Sequence, residues 1–348
     1  MRLIQTGIEA ETPIYETHVS MNKEQTPRSV PARSLIARIS SAAIALAVVL
    51  VVLPLGSTLF AGRFWACDLA THFRVQYVVA LIPVILVCLL AKRWKTALAF
   101  LALLGFASMP MIKYYMPDQR QPPAVEAVRF VTFNVKRSND EFSRAVTFLR
   151  EEKPDVVALF EIDERWKSAL AEISESYPYV QWELREDNFG LCLFSRIPWS
   201  EIEVFRTETI RSRPSIFAQF EINGRPVQYL AIHPATPLTP ESARSRNEQL
   251  SALTKRFDLS TARILTGDFN LTPWSPVFHD VLAAAEVRDA ACGFGIDPTW
   301  YQLPTPVGGI KIDHFLVSDD VFVLDHRVGP YLGSDHRPVV ADLLISSE

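Results

Sequence analysis

Residues 265–276 read LTGDFNLTPWSP, and residues 333–338 read GSDHRP. Each stretch adjoins a hydrophobic, strand-like run and sets polar side chains at its end. The first carries Asp268 and Asn270, the second Asp335 and His336. Such oxygen-bearing groups suit a hard cation and a phosphate. The two pairs stand 67 residues apart, so only a tertiary fold can join them.

Outward from these segments, residues 124–348 alternate strand-like and helix-like runs. VRFVTFNV (128–135) is rich in β-branched and aromatic residues, as a strand requires. Ser138, three residues before Glu141, predicts a capping box opening a helix that runs to about Lys153, where Pro154 stops it. VVALFE (156–161) reads as a buried strand, and 164–176 as a helix. Strands are expected at 179–184 and 189–195. SIFAQFEINGRPVQYLAIH (215–233) reads as a hairpin turning at Asn223-Gly224. Residues 241–258 read as a helix with Arg244, Arg246 and Gln249 on a solvated face. A strand at 263–269, a helix at 275–285 and strands at 311–318 and 338–345 complete the pattern. It predicts an α/β domain of two packed, mixed sheets with helices outside.

Eight polar residues fall at or near the ends of these strands: Asn134, Glu161, His233, Asp268, Asn270, Asp313, Asp335 and His336. Singly, each has a bland reading as a turn residue, a satisfied buried carboxylate or a loop histidine. Together they suit a metal-assisted displacement at phosphorus. Glu161 is the type of carboxylate that holds Mg²⁺. Asp268 would orient or deprotonate a water. Asp313 would fix the tautomer of His336, which would face a phosphate oxygen. His233 would assist the leaving group. Asn134 and Asn270 would hydrogen-bond phosphate or position a carboxylate without adding charge.

The first third of the chain differs. Residues 39–60 contain no charge, and 75–91 and 96–112 add two more apolar runs, so three transmembrane helices are expected. Residues 1–34 read as a disordered cytoplasmic tail, 35–116 as a membrane domain, 117–127 as a Pro-rich linker and 128–348 as the catalytic domain. Lys92, Arg93 and Lys95 fill the turn between the second and third runs, and Arg28, Arg33 and Arg38 precede the first. The positive-inside rule puts both in the cytoplasm and the globular domain across the membrane, in the periplasm of a bacterium. Residues 1–123 carry a net charge of +6 and residues 124–348 one of −10. A domain at −10 is a poor generic polyanion binder. The four cysteines form no CxxC or Cys/His cluster, so zinc is not suggested, and a Cys192–Cys292 disulfide stays open.

With VTFNV, VVALFEI, FGLCLFSR, YLAIHP, LTGDFNLTPWSP, KIDHFLVS and GSDHRPVVADL in that order, residues 126–346 resemble the endonuclease/exonuclease/phosphatase family, and within it the membrane-tethered bacterial members. The resemblance implies a four-layer αββα sandwich and cleavage of phosphoesters with Mg²⁺, or Mn²⁺ in its place. It implies a metal site of Asn134, Glu161 and Asp335, with Asp268 and Asn270 handling water and phosphate and Asp313 paired with His336. His233 matches members similar to pancreatic deoxyribonuclease and bacterial sphingomyelinases, not the abasic-site endonucleases. In this chain it is followed by Pro234-Ala235-Thr236.

The expected activity is therefore that of a membrane-anchored phosphodiesterase. A nuclease acting outside the cytoplasm is the alternative, and a catalytically inactive membrane scaffold is a second. Nucleic acid, lipid and headgroup all remain open as substrate. The bilayer is the expected partner, and no obligate protein partner is inferred.

Overall fold

A computed structural model describes residues 32–207, 213–302 and 308–346, with backbone alone at 32–35. The tail expected over residues 1–34 therefore falls almost wholly outside the described residues. The chain begins with α1 (Ala32–Ala47), a π-helical turn (Val48–Val52) and α2 (Leu53–Ser57). Then come α3 (Trp65–Thr71), α4 (Arg74–Leu90) and α5 (Trp94–Ser108), which runs into a 3₁₀ turn, Met109–Tyr115. Two helical stretches are long and apolar enough to cross a membrane, Ile36–Phe60 and Trp94–Tyr115. The third expected span is different. α4 alone has 17 residues, and it reaches spanning length only with α3, from which it is bent by 62°. Thr71, His72 and Arg74 interrupt the apolar pattern there.

After an irregular stretch, the globular part follows as β1 (Val128–Asn134), α6 (Phe142–Glu152), β2 (Val156–Phe160), α7 (Glu164–Ala169), α8 (Ala171–Ser174), β3 (Tyr179–Glu183), β4 (Leu191–Ser195) and β5 (Trp199–Phe205). Its second half is β6 (Ser215–Ile222), β7 (Arg225–Ile232), α9 (Pro240–Thr254), β8 (Ala262–Asp268), α10 (Pro276–Ala284), β9 (Val287–Asp289), β10 (Trp300–Tyr301), β11 (Gly309–Ile310), β12 (Asp313–Ser318), β13 (Val321–Val328) and β14 (Val339–Ile345). Two six-stranded mixed sheets result, in the orders β13-β14-β1-β2-β4-β3 and β5-β6-β7-β8-β12-β9. Each contains one parallel pair, β1–β2 and β7–β8, joined through α6 and α9 respectively. This is the expected α/β sandwich of two mixed sheets.

The core explains the layers. Phe130, Phe160, Tyr229, Ile264 and Phe315 fill the space between the sheets. Val131, Phe133, Leu159 and Phe194 point the other way, onto Phe148 of α6 and Trp166 of α7. Leu230, Leu265 and Leu316 likewise face Leu250 of α9 and Phe278 of α10. Both faces of each sheet are thus buried, which is why the central strands read as nearly continuous apolar runs.

Several expectations need correcting. No capping box forms at Ser138: the first helix of the domain starts at Phe142, and the Asn139 side chain accepts from the Glu141 amide instead. Arg246 and Gln249 are not on a solvated face. Both are fully buried, while Arg244 is exposed as expected. Cys192 and Cys292 are free thiols. Strands β5 and β13, not expected from the sequence, close an outer edge of each sheet.

The two parts pack on one another. Asp68 of α3 accepts from the Arg246 guanidinium (2.7 Å) and from the Ser275 hydroxyl (2.6 Å). Gln76 of α4 donates to the Gly309 carbonyl (2.8 Å), and the Tyr114 hydroxyl to Asp289 (2.9 Å). All these contacts lie at one end of the helices. At the other, Arg93 donates to the Ala37 carbonyl and the Ser41 hydroxyl.

Candidate active site

Alternation along the strands builds the site. In β1, Phe130 faces the inter-sheet core, so Thr132 and Asn134 follow on that face two and four residues on. In β8, Ala262 and Ile264 set the parity that brings Asp268 inward. In β12, Phe315 and Val317 do so for Asp313. In β7, Tyr229 and Ala231 do so for His233, just past the strand end. The polar cluster is thus the continuation of the inter-sheet core at one rim of the sandwich.

Glu161 breaks that parity. After Phe160 an extended chain would send it outward. Instead it adopts φ +66°, a left-handed conformation costing a non-glycine residue about 1–2 kcal/mol. The bend is held because the amides of Glu161 and Ile162 both donate to the Gly190 carbonyl, at 2.7 and 3.1 Å. A Cβ on Gly190 would lie 1.9 Å from the Ile162 carbonyl oxygen, so only glycine fits there. Lys136 (φ +60°) and Asn270 (φ +51°) are also left-handed, which concentrates backbone strain around the cluster.

All eight candidate residues converge. The Asn134 amide is the hub: its Nδ2 donates to Glu161 Oε1 (3.1 Å) and Asp268 Oδ2 (3.2 Å), while its Oδ1 accepts from the Lys136 amide. Asp268 and Asp313 are directly opposed on neighbouring antiparallel strands. Their like charges are reconciled by His336, whose Nδ1 lies 2.9 Å from Asp313 and whose Nε2 lies 3.6 Å from Asp268. His233 Nε2 is 3.4 Å from Asp268 Oδ2, and the Asn270 amide donates to Asp268 Oδ1 (3.0 Å). The Asn270 side chain donates to the Pro234 carbonyl, tying the loop after His233 to the loop after β8.

Charge follows from this geometry. Burial pushes the Asp268 carboxyl up, but His336, His233 and the Asn270 amide outweigh it and hold it below the usual carboxylate range. Burial pulls the His336 imidazole down, but Asp313 and Asp268 outweigh that and raise it to about 10. A buried carboxylate and a buried imidazolium thus stand side by side at neutral pH.

Six of the eight residues line one cavity of about 340 Å³, with Asn134 and Asp313 standing behind them. A larger cavity, about 640 Å³, lies between α3, α9 and α10 and is lined by none of the eight. Other residues join the site that the sequence did not single out. Lys136 Nζ lies 3.4 Å from Asp335, and Trp300 Nε1 donates to the same carboxylate (3.3 Å). The Ser334 hydroxyl donates to the Asn134 carbonyl and accepts from the His336 amide. The Thr299 hydroxyl accepts from the Ile312 and Asp313 amides. Arg246 donates to the Asn270 carbonyl (3.0 Å). Lys136 was visible as a base after the first strand; the others depend on pairings that spacing does not reveal.

Residues 131–336 match the model of the Endonuclease/Exonuclease/phosphatase family. An endonuclease/exonuclease/phosphatase structure from Beutenbergia cavernae is similar at 20% identity and TM-score 0.53, over 64% of this chain and 72% of that one. TDP2 of D. rerio, complexed with single-strand DNA product, is similar at 18% identity and TM-score 0.54, over 63% of this chain and 100% of that one. The 3′ phosphatase NExo from Neisseria, bound to a product DNA hairpin, is similar at 19% identity and TM-score 0.51, over 62% and 98%. No curated protein sequence matches the chain.

Proposed function

The chain belongs to the endonuclease/exonuclease/phosphatase family, and on that premise we propose that it is a membrane-anchored phosphodiesterase that uses a divalent cation and a water held by Asp268. The observation that carries this reading is the convergence of Glu161, His233, Asp268, Asn270, Asp335 and His336 on one cavity.

The donor set fits a hard cation. Glu161 and Asp335 are half-buried carboxylates on the cavity wall. Glu161 Oε1 accepts from Asn134 and Oε2 from the Arg137 amide, which orients both oxygens and leaves each a second lone pair. Glu161 and Asp335 are the proposed ligands for Mg²⁺, or Mn²⁺ in its place. Asn134, whose oxygen is turned to the Lys136 amide, serves this site by orienting Glu161. Asp268, Asp313 and His336 also offer donor atoms within 4.8 Å of one another. There the imidazole already bridges two carboxylates, so we read them as an ion chain. When bound, the cation would neutralise charge developing on the phosphoryl oxygens.

The chain's own residues do the rest. Asp268, ionised and fixed by Asn134 and Asn270, accepts a hydrogen bond from the attacking water and aims its oxygen at phosphorus. As the new P–O bond forms, His336, oriented by Asp313, donates to a phosphoryl oxygen. The proton released by the water passes to Asp268 and on to solvent, and as the ester P–O bond breaks the leaving oxygen takes a proton from solvent, with His233 placed to assist it. Its Nδ1 has no protein partner. Products are an alcohol and a phosphate with one fewer ester.

The setting is proposed to be a cell membrane, the inner one in a bacterium, crossed three times with the bent α3–α4 pair as one span. The catalytic domain would then face the periplasm. In support, the hydrogen bonds of Asp68, Gln76 and Tyr114 to the domain lie at the end of the helices opposite Arg93. A polyanionic substrate is less well served. Among the described residues, Lys136 is the one Lys or Arg lining the cavity. An inactive scaffold would show a broken set; all eight residues are present, seven of them joined by hydrogen bonds or ion pairs and Asp335 held beside them by Lys136 and Trp300.

Chelation should abolish hydrolysis of a chromogenic phosphodiester, and Mg²⁺ or Mn²⁺ should restore it. Glu161→Gln should lower the rate by about 10²-fold at saturating metal. Full activity of that variant in chelator would end the reading. Gly190→Ala, by driving the Ile162 carbonyl away, should weaken Mn²⁺ binding about tenfold. Calorimetric titration measures this, and an unchanged affinity would show that the Gly190 contact does not position Glu161.

A further inference from the structure

One wall of the catalytic cavity comes from the membrane part of the chain. Leu69, His72 and Phe73, at the break between α3 and α4, line the same space as Glu161, Asp268 and His336. Leu238 stands at the rim of this space too, and it is 76% exposed; Phe73 is 47% exposed. The break is anchored by the Asp68–Arg246 ion pair on one side and by Gln76 on the Gly309 carbonyl on the other. The residue after Phe73 begins α4, whose Val79, Ile82, Leu86 and Leu90 present an exposed apolar stripe at spacings of three and four. His72 is itself buried, with its Nε2 lacking any protein partner.

We propose, resting on the phosphoester-hydrolase reading above, that the substrate is a membrane lipid whose phosphoester enters this cavity while its hydrocarbon chain leaves past Phe73 and Leu238 along α4. Three observations select this occupant. The apolar wall is continuous with a helix that packs among the apolar spans, so a chain leaving the cavity meets hydrocarbon rather than water. Among the described residues, Lys136 is the one basic side chain on the wall, enough for one phosphate and too little for a nucleic-acid backbone. The cavity, at about 340 Å³, admits a headgroup but not a folded partner. Chemistry is that of any phosphoester: water oxygen joins phosphorus, one ester P–O bond breaks, and the leaving oxygen is protonated.

The test uses the full chain in nanodiscs of phosphatidylglycerol and phosphatidylethanolamine. A phosphatidylglycerol with a diazirine near the acyl carbonyl is photolysed with the Glu161→Gln protein in chelator. Cross-links are expected on residues 69–73 or 237–238. Cross-links confined to the outer faces of the spans would overturn the proposal. In kinetics, Phe73→Ser and Leu238→Ser should each lower kcat/KM for the lipid about tenfold more than for bis(p-nitrophenyl) phosphate. Equal effects on both substrates, or preferential cleavage of a single-stranded oligodeoxynucleotide, would also overturn it. If the small diester is cleaved and the lipid is not, this inference alone fails. If neither is cleaved, the hydrolase reading fails first and carries this one with it.

Discussion

Asp268→Asn lowers kcat for a chromogenic phosphodiester by about 10³–10⁴-fold with little change in KM, the loss expected when a positioned base is removed. The substitution keeps shape and inverts hydrogen bonding. Asp268 is nearly inaccessible and accepts from Asn134 Nδ2 and the Asn270 amide, with the His233 and His336 nitrogens close by. An amide nitrogen there would confront those donors and leave a water without its acceptor. The variant also strands His336 as a buried cation with Asp313 as its one direct carboxylate partner. The measurement is steady-state kinetics at saturating Mg²⁺ beside a Mn²⁺ titration confirming that metal still binds. Activity within tenfold of the unaltered protein would remove Asp268 from the reaction.

Asp68→Ala is expected to cost about 3–5 kcal/mol, because it leaves a buried guanidinium uncompensated. The Arg246 side chain is fully buried and that of Asp68 is 5% exposed. Burial already pulls the Arg246 guanidinium down, and Asp68 is the group opposing that pull. The same guanidinium holds the Asn270 carbonyl, so activity should fall with stability. Thermal unfolding and limited proteolysis of the detergent-solubilised protein check the first effect. Pairing Asp68→Leu with Arg246→Met should recover much of the stability without recovering the grip on Asn270. An unchanged melting temperature for Asp68→Ala would show that the ion pair does not fasten the two parts together.

What the sequence made legible was local. Apolar, β-branched runs marked VRFVTFNV and RILTGDF as strands with Asn134 and Asp268 at their ends, and the Asn223-Gly224 turn set the hairpin. What it hid depended on distant partners. Arg246 looks like any helical arginine until Asp68, 178 residues away, is seen beside it. Glu161 was found as a strand end, while its left-handed turn depends on Gly190. β5 and β13 escaped because they are edge strands. Glu201 and Glu203 in one, Asp325 and Arg327 in the other, break the apolar run that marks an interior strand. The middle membrane run was legible as apolar, but not as bent.

The pairing of β1 with β14 has a consequence for synthesis. The first sheet lacks a central neighbour for its earliest strand until residue 345 has left the ribosome. His336, on the segment just before β14, is the last member of the cluster to be made. A nascent chain therefore carries Asn134, Glu161 and Asp268 without the imidazole that reconciles Asp268 with Asp313. The cluster is completed only once β14 has been made, well after the sheet that holds Asp268 has its own parallel pair, β7–β8.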